Sequence, residues 1–533
     1  MKKKILFCTE SGHIKSGYGN YTRELLSRLY DTHKYEIAEL SCYRTSSCPK
    51  TEPWKIYPNA VDRQDERYDS YNSNFYNQFG QWRFDLVAAD FKPDIVVDFR
   101  DIFMSQFQRT VVFRNKYHWI LAPTIDSIPI RAEWLDALSN CDTLLTHTKW
   151  AKNAVEDRYN IPVNGVVKDS INTDVFQPLN KISVRQKHHL NMNMFIVGSV
   201  MRNQKRKLIP DILKIAEKIN SKNEVFFYLH TSYPETKGWN IPELLIEHNV
   251  WHRVLFTYVC KSCSAWHPML WHGPNAMCPT CNKKQLVLAN VSHGVSDQNL
   301  AEIYNMFDVY LQYAICEGFG IPPLEAASCG IPFITVGHGA MKELGLDLDG
   351  KIVPVQREFT EHESGADRVL PDNDKCIEFI EEIKNLPEID KYKIAEELRQ
   401  NVLDKHSWDK TSAEFERVFD NITVNKNKWN TIDKEQTVSG NRDIQDVESN
   451  RDFVYNIIDT VLQAPKLKSA YFIQQVVFSL DNGFIIQDEK ITPFTKESAV
   501  KVLEVWYNNK VNLNKFLNNE NIININSDFL EYT

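Results

Sequence analysis

The stretch E-G-F-G-I-P-P-L-E-A-A-S-C-G, residues 317–330, decides the fold of this chain. The run V-Y-L-Q-Y-A-I before it, residues 309–315, has the mostly apolar character of a buried strand, and the residues after the prolines favour a helix that ends at the closing glycine. A strand, a glycine turn and a helix start bring backbone N–H groups and the positive end of a helix to one point. Glu317 and Glu325 stand there with seven residues between them, and each carboxylate can accept two hydrogen bonds from sugar hydroxyls. The stretch therefore predicts a site for a phosphorylated sugar.

The whole stretch resembles, nearly letter for letter, the signature of the retaining GT-B glycosyltransferases of family 4, relatives of the glycogen and sucrose synthases. A turn whose glutamates are merely solvated would explain an isolated pair of glutamates, but it explains the complete stretch poorly. The resemblance implies that Glu325 holds the ribose of a nucleotide. It also implies that Glu317, with the backbone at Gly318, Phe319 and Gly320, holds the donor sugar and its phosphate.

Length and composition set outer bounds on the architecture and the location of the protein. The chain has 533 residues, enough for two large domains and an appendage, and 43% of them are hydrophobic. A net charge of -8 argues against coating nucleic acid through overall charge and leaves a local basic patch open. The 11 cysteines suit reduced thiols, and no apolar segment approaches the ~18 residues of a membrane span. We expect a cytoplasmic protein, in the host cytoplasm if the source is viral.

The first domain is predicted to be a doubly wound, Rossmann-like α/β domain that binds the acceptor. Short apolar runs alternate with helix-like or polar segments, a pattern typical of parallel sheets. The predicted strands are residues 4–8, 35–40, 95–98, 119–121 and the start of 143–150. The sequence N-T-D-V-F-Q-P at 172–178 matches the exit from the first domain in the resembling family, so we place this domain at 1–178.

A glycine loop follows the first predicted strand and precedes an amphipathic helix. Gly17 and Gly19 lie in this loop, and alone they would equally suit an ordinary turn between a strand and a helix. The resemblance implies that the loop covers the donor phosphates. His13 lies in the same loop, and the resemblance to the retaining group gives it a contact role at most.

Asp126 is the candidate residue of the acceptor side. It lies in L-A-P-T-I-D-S-I-P-I, residues 121–130, at a strand end, where open α/β sheets place groups that contact ligands. This segment resembles the acceptor-cleft segment of the family, and we count Asp126 among the catalytic candidates. An aspartate that caps the helix starting near Arg131 is an equally good interpretation.

The second domain is placed at 179–424 and is predicted to be a second Rossmann-like domain that binds the nucleotide sugar, so that the two domains face a cleft. It opens with a strand at 194–200, and a further strand, V-F-F-Y-L-H-T, ends near His230. We expect His230 at the same edge of the sheet, as a donor contact.

A basic loop follows the opening strand of the second domain. Arg202, Arg206 and Lys207 concentrate positive charge in M-R-N-Q-K-R-K, at a strand end before a helix. A solvated turn would explain an isolated cluster of this kind. The family carries an arginine and a lysine a few residues apart here, which match Arg202 and Lys207, and Arg206 could substitute for either. Such cations would stabilise the charge left on a departing diphosphate.

Four cysteines interrupt the second domain, in an insertion at about 256–288. Cys260 and Cys263, then Cys278 and Cys281, form two C-x2-C pairs separated by 14 residues. This spacing is typical of a structural zinc site with four thiolate ligands, and it leaves no open position for a substrate.

The same insertion is free of acidic residues. From Trp251 to Ser296 there is no Asp or Glu, while basic residues and aromatic rings are present. They include Arg253, Lys261, Lys283, Lys284, Trp251, Tyr258, Trp266 and Trp271. Basic groups with stacking rings suit single-stranded or flipped nucleic acid, but tryptophan rings also stack on sugars and pack under small zinc modules. These interpretations remain open.

The end of the chain departs from the family pattern, which covers roughly residues 1–424. Residues 425–447 are polar and predict a linker, and helical spacing within 448–533 predicts an α-helical appendage that can brace the core or bind a partner.

The sequence thus predicts an enzyme that moves a sugar from a nucleotide-diphosphate sugar to an acceptor hydroxyl. The resemblance implies retention of configuration at the sugar carbon and no obligatory catalytic metal. We expect a UDP- or GDP-linked donor, although the sequence does not decide between UDP, GDP and ADP. The acceptor is open between hydroxymethylated pyrimidines in DNA and a cell-surface or lipid-linked glycan. A non-catalytic scaffold that binds a nucleotide sugar or nucleic acid is the alternative from another class.

Overall fold

The computed structural model describes residues 2–424 apart from 15, 112, 220–223, 274 and 291. Beyond residue 424 it describes 429, 454–455, 476–477, 480, 484–487, 490–493, 495, 498–499 and 501–503. The predicted linker, apart from Trp429, and most of the predicted appendage lie outside the described residues.

A seven-stranded parallel sheet forms the first domain, with strand order β3-β2-β1-β4-β5-β6-β7. Its strands are β1 (Lys3–Glu10), β2 (Tyr35–Cys42), β3 (Lys55–Pro58), β4 (Ile95–Phe99), β5 (His118–Leu121), β6 (Thr143–Thr146) and β7 (Gly165–Val166). Its helices are α1 (Gly17–Asp31), α2 (Tyr68–Asn72), α3 (Phe84–Phe91), α4 (Ala132–Asn140) and α5 (Lys149–Tyr159). Three 3₁₀ helices span Phe75–Phe79, Ile102–Arg109 and Arg114–Lys116.

The apolar run at residues 5–8 of β1 follows from burial on both faces. Leu6 and Cys8 pack into the core on one side of the sheet, and Ile5 and Phe7 pack into the core on the other. A parallel strand covered on both faces needs no polar alternation, which is why the short apolar runs predicted a sheet of this type.

The second domain is built on six parallel strands in the order β10-β9-β8-β14-β15-β16, and β11, β12 and β13 extend this sheet with antiparallel pairing. The strands are β8 (Phe195–Val200), β9 (Val225–His230), β10 (Val254–Cys260), β11 (Trp266–Leu270), β12 (Ala276–Met277), β13 (Lys284–Leu288), β14 (Val309–Leu311), β15 (Phe333–Val336), β16 (Lys351–Val353) and a separate hairpin of β17 (Val355–Thr360) and β18 (Asp367–Pro371). The helices are α6 (Lys181–Lys187), α7 (Ile209–Lys218), α8 (Ile241–Glu247), α9 (Asp297–Asn305), α10 (Ile321–Ser328), α11 (Gly339–Leu348), α12 (Asn373–Asn385), α13 (Glu388–Lys405) and α14 (Trp408–Asn421).

The strand predicted at 309–315 is too long. The structure ends β14 at Leu311, because the following residues turn toward the basic loop and hydrogen-bond to it. Tyr313 O accepts from Leu208 N at 3.1 Å, and Ile315 N donates to Arg206 O at 2.9 Å. These bonds fasten the loop after β8 to the segment that precedes Glu317.

The last helix of the second domain crosses back to the first domain. Trp408, Phe415 and Phe419 of α14 share a core cluster with Phe7 of β1. Trp429 continues this return: it is buried and donates from Nε1 to Pro93 O at 3.0 Å. The chain therefore covers the first domain with residues that lie beyond the second.

An antiparallel strand pair, Phe484–Gln487 with Lys490–Pro493, lies within the predicted appendage. The helical prediction for 448–533 did not include it. Within the described residues, none of the helices combines the length and apolar character that crossing a membrane would require.

Candidate functional site

Glu317 is the centre of a buried ionic cluster at the carboxyl ends of β8 and β14. Its Oε2 accepts from Arg206 Nη1 at 2.7 Å, its Oε1 accepts from Gln312 Nε2 at 2.9 Å, and Lys207 Nζ donates to the same Oε1. Glu317 is 8% exposed and Lys207 is 6% exposed. Burial and, after it, the charge of Arg206 lower the pKa of Lys207, whereas the charges of Cys316 and Asp126 act in the opposite direction. Two cations are thus held beside the glycine turn by one carboxylate.

Trp239 supports the basic loop from outside, and the sequence analysis missed it. Its indole Nε1 donates to Lys207 O at 2.7 Å, and Lys205 Nζ lies 4.0 Å from a ring centroid of the indole. The side chain of Asn203 bonds the Trp239 backbone twice, at 2.8 and 3.0 Å. No motif spacing marks this residue; the only signal was a tryptophan in the polar segment after β9.

Glu325 lies inside α10, and its carboxyl group is buried against α9. Tyr304 Oη donates to Glu325 Oε2 at 2.6 Å. Burial raises the pKa of Glu325 to about 8; the Tyr304 hydrogen bond acts against this rise, and the charge of Asp297 adds to it. At pH 7 the group therefore carries a proton in this state of the protein.

Replacing Glu325 with Gln should remove a pH dependence of stability. The folded protein holds a proton at Glu325 up to about pH 8, whereas the unfolded chain loses it near its ordinary value of 4.5. Between these values a rise in pH therefore destabilises the wild type, by at most about 1.4 kcal/mol per pH unit. Glu325→Gln should gain stability relative to the wild type from pH 5 to pH 8, measured as urea midpoints. Parallel midpoints across that range would contradict the raised pKa.

Gly318 is one of the points where the two domains touch. A Cβ atom added to Gly318 would lie 1.9 Å from Thr124 Cγ2 of the first domain. Only a glycine allows this approach, because no side-chain atom fits into that space. The glycine turn of the second domain therefore meets the segment that carries Asp126.

Gly318→Ala should lower kcat/KM for the proposed sugar transfer by about 100-fold, because a cleft held open by roughly 1 Å misplaces the reacting groups. Thr124→Ser removes Cγ2 and keeps the hydroxyl, so Gly318→Ala combined with Thr124→Ser should recover most of the loss. Steady-state kinetics of the two single variants and the double variant measure this. A Gly318→Ala enzyme with wild-type activity, or a double variant no better than it, would contradict the close-contact argument.

Asp126 faces the second domain. Its Oδ2 accepts from Cys316 Sγ at 3.5 Å, and its Oδ1 lies 3.7 Å from Arg368 Nη1 of β18. The alternative interpretation of Asp126 as a helix cap is wrong, because α4 begins after Arg131 and has no side-chain cap. Because Cys316 directly precedes Glu317 in the chain, this contact places the Asp126 carboxylate close to the Glu317 cluster.

Arg368 is a second residue that sequence analysis missed. Its Nε and Nη2 donate to Glu361 Oε2 at 3.1 and 2.9 Å, and among the described residues its buried Nη1 has no hydrogen-bond partner. The hairpin that carries it also contacts the first domain through Asp367 N, which donates to Ile128 O at 2.7 Å. In the sequence, the signal that could have pointed to Arg368 was its place in a polar run between two segments that resemble the family.

The first-domain wall of the cleft carries further polar groups. Tyr18 Oη lies 2.7 Å from both Asp101 Oδ1 and Thr124 Oγ1. Burial raises the pKa of Asp101, and its bond from Tyr18 opposes the rise. Burial also raises the pKa of Glu10, and the charge of Arg202, across the cleft, acts in the opposite direction. Arg202 is exposed and is not brought into the Glu317 cluster, in which Arg206 takes part.

The remaining sequence candidates lie around this centre. Gly17 begins α1, and Gly19 in its first turn could not carry a side chain, because an added Cβ would lie 2.2 Å from Ile14 O. His13 is exposed and bonds Ser11 Oγ at 2.7 Å. His230 ends β9 and hydrogen-bonds to Thr257 Oγ1 at 2.9 Å, and burial lowers its pKa to about 4.

Phe319 and Gly320 complete the glycine turn. Phe319 is buried, and its ring lies 5.7 Å from that of His406. Gly320, with φ +112°, is the N-cap residue of α10. The backbone of this turn thus leads directly into the helix that carries Glu325.

The four cysteines meet at the end of β10. The Sγ atoms of Cys260, Cys263, Cys278 and Cys281 all lie within 4.8 Å of one another, with Cys260 to Cys281 at 3.6 Å and Cys263 to Cys278 at 3.7 Å. A tetrahedral zinc site with Zn–S bonds of about 2.3 Å requires sulfur pairs about 3.8 Å apart. The donor set therefore fits Zn²⁺. Ser264 and Asn282, one residue after each C-x2-C pair, adopt positive φ angles, as tight turns around a metal require.

Comparison with known proteins supports the class of this protein. Residues 284–386 match the family model described as glycosyl transferases group 1. A comparison with curated proteins finds no match. Sucrose-phosphate synthase from Thermosynechococcus elongatus superposes with a TM-score of 0.59 at 14% identity, over 78% of this chain and 98% of that one.

Two further solved structures have the same architecture. Anabaena HepE in complex with UDP and glucose gives a TM-score of 0.54 at 12% identity, over 79% of this chain and all of that one. An E. coli structure described as trehalose-6-phosphate bound with UDP-2-fluoro glucose gives a TM-score of 0.54 at 12% identity, over 79% of this chain and all of that one. The chain has the GT-B fold, with a four-cysteine insertion in its second domain. The family match and the fold together support a GT-B glycosyltransferase.

Proposed function

We propose that this protein transfers a sugar from a UDP- or GDP-linked donor to an acceptor hydroxyl, with retention of configuration. The observation that carries the proposal is the Glu317 cluster. One buried carboxylate holds Arg206 and Lys207 at the edge of a parallel sheet, where the glycine turn and the start of α10 supply further positive potential. This arrangement suits a diphosphate whose negative charge grows as the sugar leaves.

The proposed roles follow from position. Lys207 and Arg206 stabilise the departing diphosphate, with Arg202 as an exposed contact beyond them. Glu317 orients the donor ring, and Glu325 holds the ribose. A ribose that donates to Glu325 favours its ionised form, so donor binding releases the proton that burial retains.

On the acceptor side, Asp126 accepts a hydrogen bond from the attacking hydroxyl. Retention follows because the hydroxyl attacks the face of the sugar that the diphosphate leaves. No protein nucleophile and no catalytic metal is required. Closure of the two domains around Gly318 excludes water and limits hydrolysis of the donor. Analysis of the anomeric configuration of the product by NMR tests retention: an inverted product would rule it out.

The proposed acceptor is a hydroxymethylated pyrimidine in DNA. The insertion lacks acidic residues over Trp251 to Ser296 and extends the second sheet from β10, which only β9 separates from β8 and its basic loop. Basic groups in that position suit a polyanionic acceptor. A cell-surface or lipid-linked glycan is the competing acceptor class.

A transfer assay tests the proposed function. A mixed pool of radiolabelled nucleotide sugars is offered with hydroxymethyl-containing DNA, a lipid extract or soluble oligosaccharides. Label in the DNA is the expected result. Label in lipid or oligosaccharide would keep the transferase and replace the acceptor, and label nowhere, with no donor hydrolysis, would favour a non-catalytic binding protein.

A further inference from the structure

An open cavity of about 360 Å³ lies between the four-cysteine insertion and the loop after β9. Tyr233 and Pro234 form one side, and Trp271, Val287 and Leu288 of the insertion form the other. Its volume falls within the range of about 300–1,000 Å³ typical of small-ligand pockets. None of these residues belongs to the Glu317 cluster, so the cavity is a separate feature of the second domain.

The polar rim of this cavity is uncommitted except at Asn290, whose Nδ2 donates to Leu288 O at 2.9 Å. Lys261, Asn275, Ser292 and His293 line it, and within the described part of the chain their side chains make no hydrogen bond or ion pair. Polar groups that converge on an apolar pocket without partners of their own are available to a ligand. No carboxylate lines the cavity, so the ligand favoured by charge is an anion or a neutral group beside one.

The structure separates the aromatic rings of the insertion into core rings and an available ring. Tyr258 is fully buried, and Trp266 is 8% exposed and stacks on His188 at 4.0 Å between centroids. Trp271 is half-buried and lines the cavity, where its ring meets Tyr233 edge-on at 5.7 Å. Trp251 is 54% exposed but lies outside the cavity lining. Trp271 is therefore the ring placed to stack on a ligand in the cavity.

Two lysines lie at the turn of the first cysteine pair, one within the pair and one hydrogen-bonded to it. Lys261 directly follows Cys260 and lines the cavity, and Lys283 Nζ donates to Ser262 Oγ at 3.0 Å. The backbone of this turn is pinned to β13 through Lys261 N, which donates to Gln285 O at 3.0 Å. The four-cysteine site therefore holds Lys261 at the cavity wall that carries Trp271, and it holds Lys283 at the neighbouring Ser262.

We propose that this cavity binds one nucleotide unit of a single-stranded nucleic acid, with the base against Trp271 and the flanking phosphates at Lys261 and Lys283. Aromatic stacking beside cations that follow the backbone is the arrangement by which proteins hold single strands. A neutral glycan would use the same ring but would gain nothing from the two lysines. The inference deepens the proposed function and rests on it only in naming the bound strand as the acceptor.

Binding of a fluorescein-labelled oligothymidylate of about 16 nucleotides to the full-length, zinc-loaded protein tests the proposal. Fluorescence anisotropy is measured over a series of salt concentrations. Trp271→Leu keeps an apolar contact with Phe256 and removes the stacking surface, and it should weaken binding about tenfold. The Lys261→Glu, Lys283→Glu double variant should reduce the slope of log K against log salt by about 1.4, or 0.7 for each lost phosphate contact.

Matched controls isolate the cavity from the rest of the surface. Trp251→Leu removes an exposed ring of the same acid-free segment, and Lys393→Glu reverses an exposed charge on α13. Both should bind the oligonucleotide as the wild type does. Zinc content and UDP affinity, measured by calorimetry, should be the same in all variants, so that a folding defect or a lost donor site is recognised.

The outcomes separate the cavity from the transferase. Equal oligonucleotide binding by the wild type and both cavity variants would overturn the proposal. Trp271-dependent binding of thymidine monophosphate alone would also overturn the proposal and would indicate a free nucleotide as the ligand. Trp271-dependent binding of a soluble oligosaccharide would overturn it as well and would indicate a glycan. Oligonucleotide binding that depends on the cavity in a protein without any transfer activity would uphold the cavity and reject the proposed function.

Discussion

Lys207→Met is expected to lower kcat for sugar transfer by about 10²–10³-fold, the usual cost of removing one charge-stabilising donor from an enclosed site. The ammonium group is buried and is held on Glu317, so solvent cannot replace it. Its contribution should grow as charge develops on the departing diphosphate, and donor affinity should change less than kcat. Initial rates with the best nucleotide sugar, together with the Kd for the corresponding nucleoside diphosphate, measure both quantities.

The matched control for this prediction is Lys214→Met on α7. Lys214 is exposed and pairs only weakly with Asp211, at 3.5 Å, so kcat should not change. In Lys207→Met the Glu317 carboxylate keeps its hydrogen bonds from Arg206 and Gln312, so the loss reflects the missing ammonium group and not a carboxylate left without partners. A Lys207→Met enzyme that keeps half or more of the wild-type kcat would remove Lys207 from the proposed mechanism.

Removal of zinc is expected to unfold the insertion and to expose it to proteases. The purified protein should contain one zinc ion per chain, and Cys278→Ser should reduce that content close to zero, because Cys278 is fully buried among the four ligands. Leu286 and Leu288 of β13 belong to the main core of the second domain, so the melting temperature of that domain should fall as well. Metal analysis, limited proteolysis between β10 and β13, and thermal melts measure these effects.

His267 provides the control for the zinc prediction. Its Nε2 lies 3.7 Å from Cys278 Sγ, close enough to compete as a ligand if one thiolate were absent. His267→Asn should keep one zinc per chain, because four thiolates complete the tetrahedron. Full zinc content in Cys278→Ser would contradict the four-thiolate site, and loss of zinc in His267→Asn would assign the histidine a ligand role.

The amino-acid sequence by itself determined the class of fold and the position of its donor motif. The continuous apolar runs, such as β1, predict parallel strands because both faces of such strands are buried. The C-x2-C pairs predicted the cysteine cluster for a similar reason: two tight turns of fixed length place four thiolates around one ion whatever surrounds them. Patterns of this kind are local, and local geometry can be derived from spacing alone.

Tertiary structure alone decided which residues meet. Arg206 and Lys207 reach Glu317 because the loop after β8 hydrogen-bonds to the segment after β14, more than 100 residues later in the chain. Arg368 reaches Asp126, and Thr124 touches Gly318, only because the two domains close on each other. Spacing in the sequence carries no information about such contacts, since they depend on how whole sheets pack. The chemical class of the site was therefore predictable from the sequence, whereas the identity of its supporting residues was a property of the folded molecule.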